Sequence, residues 1–238
     1  MPSKPEQNSF MRPARRLNRA LEAQVPQKAL RDLTNRLRYG PDAPLSDETL
    51  YVDPRAILSA YSPKKSPKAP NFRRRHSGQV VGGDWDLARA PIEGNFKLIS
   101  CRMHFEDGVP WDDTPLLHSM KAQIAAGKEP DECKTVYDLA RRYARLDQIF
   151  AETRQTGRLK SRTETSDHYR REHGGIFVHV TRDGTMLRAG GGNHRFAIAW
   201  ILGLPEIPVQ LGVIHADAVR EGLHKTLRLP LSKRTAPA

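Results

Sequence analysis

The chain has 238 residues, 38% hydrophobic and 28% charged, with a net charge of +12. Its longest apolar stretch, Phe196–Leu204, is too short to span a bilayer. The opening MPSKPEQNSF lacks the apolar centre of a secretory signal, so a cytoplasmic protein is expected. Two cysteines, Cys101 and Cys133, make no disulfide framework and no CxxC pair, and buried, inert thiols are expected.

The charge is uneven. Residues 1–80 hold 16 of the 39 Lys/Arg but 7 of the 27 Asp/Glu, and 10 of the 18 prolines. The basicity therefore belongs to the N-terminal part, and residues 1–75 are expected to carry any contact with nucleic acid or another polyanion. A solubilising tail without a dedicated partner is the competing reading.

In chain order, residues 1–12 read as disordered. Arg15–Arg38 places Leu17, Leu21, Val25, Leu30, Leu33 and Leu37 near helical spacing, interrupted at Pro26. This predicts two short helices, leucines packed inward and arginines outward. Glu48–Ile57 contains a strand, Leu50–Val52, and an Asp53-Pro54 turn. Lys64–Arg75, KKSPKAPNFRRR, reads as a basic linker, and its single aromatic, Phe72, gives little support to base stacking.

Two clusters then pair tryptophan with acids: Gly82-Gly83-Asp84-Trp85-Asp86 and Pro110-Trp111-Asp112-Asp113. Three readings stand: the aspartates cap helices, with Asp112 or Asp113 starting a helix over 116–126; Asp84, Asp86, Asp112 and Asp113 hold a divalent cation; or Trp85 and Trp111 line a pocket. Val136–Gly157 is a long amphipathic helix ended by glycine. Ser161–Glu172 reads as a loop or lid. Ile176–Val180 and Thr185–Arg188 form a hairpin, with Asp183-Gly184 as a two-residue type I′ turn.

Gly190, Gly191 and Gly192 precede Asn193-His194-Arg195 and an all-apolar helix, Phe196–Leu202, stopped by Gly203 and Pro205. Ile207, Val209, Leu211 and Val213 alternate as a strand. A helix start carries free N–H groups and a positive dipole end, and glycines admit close approach of an anion. From spacing alone, a phosphate pocket and a plain tight turn are equally good readings. Glu172, His179 and His215 are placed to approach this region. The histidines show no metal-binding spacing.

Gly192-Asn193-His194-Arg195, Leu202-Gly203-Leu204 and Ile207-Pro208-Val209 resemble the ParB N-terminal/sulfiredoxin superfamily, over roughly residues 175–215. The resemblance implies an α+β domain that binds nucleotide phosphates through Gly190–Arg195, with ATP or CTP and magnesium as the implied cofactors. The departures are specific. Asn193 stands where sulfiredoxins have their cysteine, Gly191 where the related serine kinases have an aspartate, and Asn193 and His194 both differ from partition proteins. The implied organisation is a basic, partly helical arm over 1–47, a ParB/sulfiredoxin-like domain over 48–215 with a large insertion near 64–135, and a tail over 216–238. Only 23 residues follow His215, so no helix-turn-helix domain is expected. The resemblance implies a nucleotide- or phosphate-binding protein, as a phosphotransferase or nucleoside triphosphatase. A non-catalytic nucleotide-sensing or DNA-associated module, and a protein-interaction module with an empty ancestral pocket, remain open alternatives.

Overall fold

The computed structural model describes residues 24–66, 68–165 and 168–234. The readings for residues 1–23, including Leu17 and Leu21, and for the extreme C-terminus at 235–238 lie outside them.

The chain is α+β. Seven strands, β1 (Thr49–Val52), β2 (Ser59–Tyr61), β3 (Val80–Val81), β4 (Arg89–Pro91), β5 (Ile176–Val180), β6 (Met186–Arg188) and β7 (Ile207–His215), form one mixed sheet in the order β1-β7-β5-β6-β2-β4. β7 is its spine. It pairs in parallel with β5 along one edge, while its other edge takes antiparallel β1 at 207–210 and parallel β3 at 214–215. Every residue of β5 and β7 is buried, as expected for strands covered on both faces.

One face carries the helices α2 (Phe96–Phe105), α3 (Pro115–Ala125), α4 (Val136–Thr156) and α5 (Asn193–Ile201). Local chemistry fixes their ends. The Asn95 side chain accepts from the Lys97 and Leu98 amides, Thr135 and Asp138 form a capping box, and Gly157 closes α4 in a left-handed conformation, φ 64°. α5 lies against α2, α4 and β5, with Ala197, Ile198 and Ala199 fully buried. A last short helix, α6 (Ala216–Arg220), follows β7 directly.

The other face is covered by residues 61–88 rather than by helices. Trp85, Leu187 and Val213 pack there with Tyr61, Phe72 and Val81. Strand alternation separates the two sides: Ile176, Val178 and Val180 meet the helices, and Phe177 and His179 meet the aromatics.

Several expectations are corrected. Helix α1 (Val25–Tyr39) starts at the expected break, with Pro26 in its first turn, where a missing N–H costs nothing, and the helix expected before Pro26 lies outside the described residues. Its packing is the reverse of the amphipathic reading: Lys28, Asp32 and Asn35 are buried, and Leu30, Leu33 and Leu37 are exposed. The cause is hydrogen bonding, since Asn35 donates to the Pro44 and Gly78 carbonyls and Asp32 accepts from the Ser46 amide. α1 thus belongs to the folded body. The basic linker folds across the sheet instead of spanning a gap, and 64–135 supplies β3, β4, α2 and α3. α3 is capped by Thr114, not by Asp112 or Asp113. The β5–β6 turn has three residues, closed by the Thr181 amide on the Thr185 carbonyl, because Asp183 binds the Thr185 amide and the Thr181 and Thr185 hydroxyls.

Candidate functional site

The glycine loop joins β6 to α5, and Gly190, Gly191 and Gly192 all have positive φ, 77°, 75° and 64°. Two of them are required by what they touch. A Cβ on Gly192 would stand 2.8 Å from the Ile176 Cα and 3.1 Å from the Gly175 oxygen, so this glycine lets the loop lie against the start of β5. A Cβ on Gly191 would collide with the Arg74 guanidinium.

Arg74 is the residue that the linker reading concealed. It donates to the Gly175 carbonyl at 2.8 Å and to Gln210 Oε1, and lies over the Phe177 ring. Arg188, the last residue of β6, is only 3% exposed. It donates to the Phe177 carbonyl (2.7 Å), the Gly191 carbonyl (2.8 Å) and Asn193 Oδ1 (2.6 Å), and stacks on Phe196. Neither arginine forms an ion pair with a described residue. Burial, with the positive charge of Arg74 nearby, pushes Arg188 down to about 9, and burial also lowers Arg74. Two desolvated cations therefore meet at Gly191. An arginine in the short strand Met186–Arg188 was the available sequence signal for one of them; Arg74 had none.

A network holds Arg74 in place. Gln210, buried on β7, accepts from Arg74 and from the Gly174 amide (3.2 Å) and donates to Asp47 Oδ1 (2.6 Å). Lys28 of α1 donates to both Asp47 oxygens, at 2.8 and 2.9 Å. Burial opposes the charge on Asp47, but hydrogen bonds from His173 and Lys28 hold it down at about 2. Burial lowers Lys28 against the pull of Asp47.

A cleft of about 410 Å³ opens beside the loop, lined by Tyr61, Asn71, Phe72, Arg73, Arg74, Phe177, Gly190 and Gly191, among others. Tyr61 and Phe72 stack with centroids 5.5 Å apart. A smaller cleft, about 370 Å³, includes Asn193, Lys97 and Asp131.

His194 and Arg195 lie elsewhere. His194 is buried, with Nε2 3.2 Å from the Tyr143 hydroxyl, and burial lowers it to about 4, so it is neutral at pH 7. Arg195 donates to the Lys160 carbonyl, and its charge acts on buried Glu172. Glu172 is raised by burial, against donation from the Arg162 amide.

The acids and tryptophans are not brought together. Asp86 is buried and bound by the Arg182 amide and guanidinium, and Asp84 pairs with the same arginine at 2.8 Å. Asp112 pairs with Lys121, and Asp113 is exposed. Trp85 donates to the Val81 carbonyl on the aromatic face. Trp111 donates to Asp147 on the helical face and stacks on His104 at 4.0 Å. His179 Nδ1 accepts from the Val213 amide, beneath Tyr61, Phe72 and Trp85. His215 caps α6 by accepting from the Asp217 amide, and its Nε2 meets the Gly83 carbonyl at 2.9 Å. Among the described residues no three His, Cys, Asp or Glu side chains are arranged to hold a metal ion, and no helix is long and apolar enough to cross a membrane.

No family model, curated protein or solved structure matches the chain.

Proposed function

We propose that the protein binds a phosphate-bearing ligand, a nucleotide or a phosphorylated small molecule, at the Gly190–Gly192 loop. The observation that carries this reading is the meeting of Arg74 and Arg188 at Gly191, both desolvated and neither ion-paired among the described residues. A buried cation without an ion-pair partner, as Arg188 is, is unfavourable, and so is a half-buried one such as Arg74 whose acids, Asp47 and Glu172, act on it without pairing; an anion at the loop would relieve that cost. The start of α5 adds its dipole, and arginine forks suit phosphate oxygens. The aromatic wall of Tyr61 and Phe72 is compatible with the base of ATP or CTP. The order of hairpin, glycine loop, helix and strand supports a ParB/sulfiredoxin-like arrangement.

Binding is the activity proposed. The four aspartates do not fit a magnesium site: two are neutralised by Arg182, one by Lys121, and they stand apart. No phosphoryl-transfer step is assigned to them.

Calorimetry with phosphate, pyrophosphate, ATP, ADP, CTP and GTP tests the reading. Arg188→Met and Arg74→Met should each weaken binding about tenfold to a hundredfold, the worth of one charge-assisted contact. Folded variants that bind every anion as the parent does would show the arginines to be structural locks on the loop.

A further inference from the structure

Helix α1 is fastened to the protein by its polar side. Lys28, Asp32 and Asn35, spaced four and three apart, are buried. Asp32 accepts from Arg171 at 2.8 Å and from Arg170 at 3.2 Å, besides the Ser46 amide. The apolar side is left outside: Leu30, Leu33 and Leu37 are 67%, 55% and 81% exposed. Their three- and four-residue spacing makes one stripe along the helix. Arg36 and Arg38 are exposed beside it. A shallow cleft of about 440 Å³, lined by Ala29, Asp32, Leu33, Arg36, Arg170 and Arg171, runs along one flank. Asp32 is the single acid of that cleft, and two arginines already claim it.

We infer that this face is a docking surface for an acidic amphipathic helix of another protein, with leucine-like residues at heptad spacing and Asp or Glu flanking them. Apolar positions spaced i, i+3, i+7 receive a partner helix in this way. The charge selects the partner. A second copy in a two-fold contact would bring two arginine-flanked stripes of the same sign together, on a chain of net charge +12. The chain's own residues 1–23 carry five Lys/Arg against two Glu, the wrong sign for this rim. A bilayer is disfavoured by shape, because three leucines form a narrow stripe and a flat surface does not enter the cleft beside it. The inference does not depend on the phosphate site.

The test uses the full chain and fluorescein-labelled designed helices: one with Leu at heptad positions and Glu on the flanks, and one with Lys replacing each Glu. Anisotropy should show saturable binding of the acidic helix, weakened by added salt and at least tenfold tighter than the basic one. Leu33→Ser with Leu37→Ser should lower that affinity tenfold or more, and Arg36→Glu with Arg38→Glu should reverse the preference between the two helices. These positions are exposed, so circular dichroism should show all variants folded. Equal affinity for both helices, or binding insensitive to the serine substitutions, overturns the inference. So does leucine-dependent capture on phosphatidylglycerol vesicles without helix binding, which would mark a membrane surface. Leucine-dependent dimerisation in sedimentation, without helix binding, would equally overturn it in favour of a second copy.

Discussion

The Arg74 guanidinium occupies the space beside Gly191 that a side chain there would fill. A glycine can thus be required by an arginine rather than by a ligand, and the two causes separate by mutation. Gly191→Ala should displace Arg74 and weaken anion binding about tenfold, with a stability loss of about 1 kcal/mol for alanine in a left-handed backbone. Gly192→Ala should act on the fold, because its neighbour is the β5 backbone: about 3 kcal/mol or more of stability, with a visible loss of folded protein. Urea unfolding beside calorimetry reads both quantities. An equal stability loss at the two sites would contradict this division of roles.

Gln210 should matter to two elements at once. Gln210→Leu removes the acceptor of the Gly174 amide, one of the two acceptors of Arg74 and one of the donors to Asp47 Oδ1, a cost of about 2–4 kcal/mol for buried polar groups. It should also lower anion affinity, since Arg74 is no longer held. Asp32→Asn, on the same helix as Lys28 but joined to Asp47 only through the shared Arg170, should destabilise with a much smaller effect on affinity. Parallel denaturation and binding curves for the two variants decide the matter.

Acid should destabilise the protein well above the range of its carboxylates. His194 is lowered to about 4 and His179 to about 3, each chiefly by burial, from an ordinary value of 6.5. The unfolded chain therefore binds these protons more readily, so stability is full above about 6.5 and falls as pH drops toward 4. For His194 alone the loss approaches about 3 kcal/mol. His179 adds to it, because protonating Nδ1 removes the acceptor of the Val213 amide. Urea midpoints at pH 7.5, 6 and 5 should fall in that order, and His194→Gln should flatten the slope.

Asp86 should behave as a structural anchor. Its low value reflects hydrogen bonds from Arg182 that outweigh the opposing effect of burial. Arg182→Met should leave buried Asp86 with only the residue-182 amide as donor and lower stability, and Asp86→Asn in the same chain should recover part of that loss. A double-mutant cycle in urea measures the coupling; additivity would dissolve the pair.

The sequence made some parts of this molecule legible. Helix α5 was readable because an all-apolar run is buried on every side, with Gly203 marking the stop, and strand β7 because Ile207, Val209, Leu211 and Val213 alternate, although alternation marks one covered face and β7 is buried on both. Helix α4 was readable from its apolar stripe and terminal glycine. Helix α1 was misread because hydrophobic spacing does not reveal that Lys28, Asp32 and Asn35 find partners at 44–47 and 78. The glycine loop itself was visible, but its cations were sought next door, at His194 and Arg195. Arg74 reaches Gly191 across more than a hundred residues through the path of a segment that composition alone marks as a linker. The aspartate clusters misled for the same reason, since Arg182 lies almost a hundred positions from Asp84 and Asp86.

β7 is the common neighbour of β1, β3 and β5, and it comes last among the strands. During synthesis, therefore, the partners at 49–52, 80–81 and 176–180 must all emerge before the strand that unites them exists. Until residues 207–215 arrive, these apolar segments have unpaired backbone and no spine to join, the circumstance in which nascent chains pair with one another. The excess of arginine and lysine toward the N-terminus gives neighbouring unfinished chains charge of the same sign over that interval, which opposes their pairing.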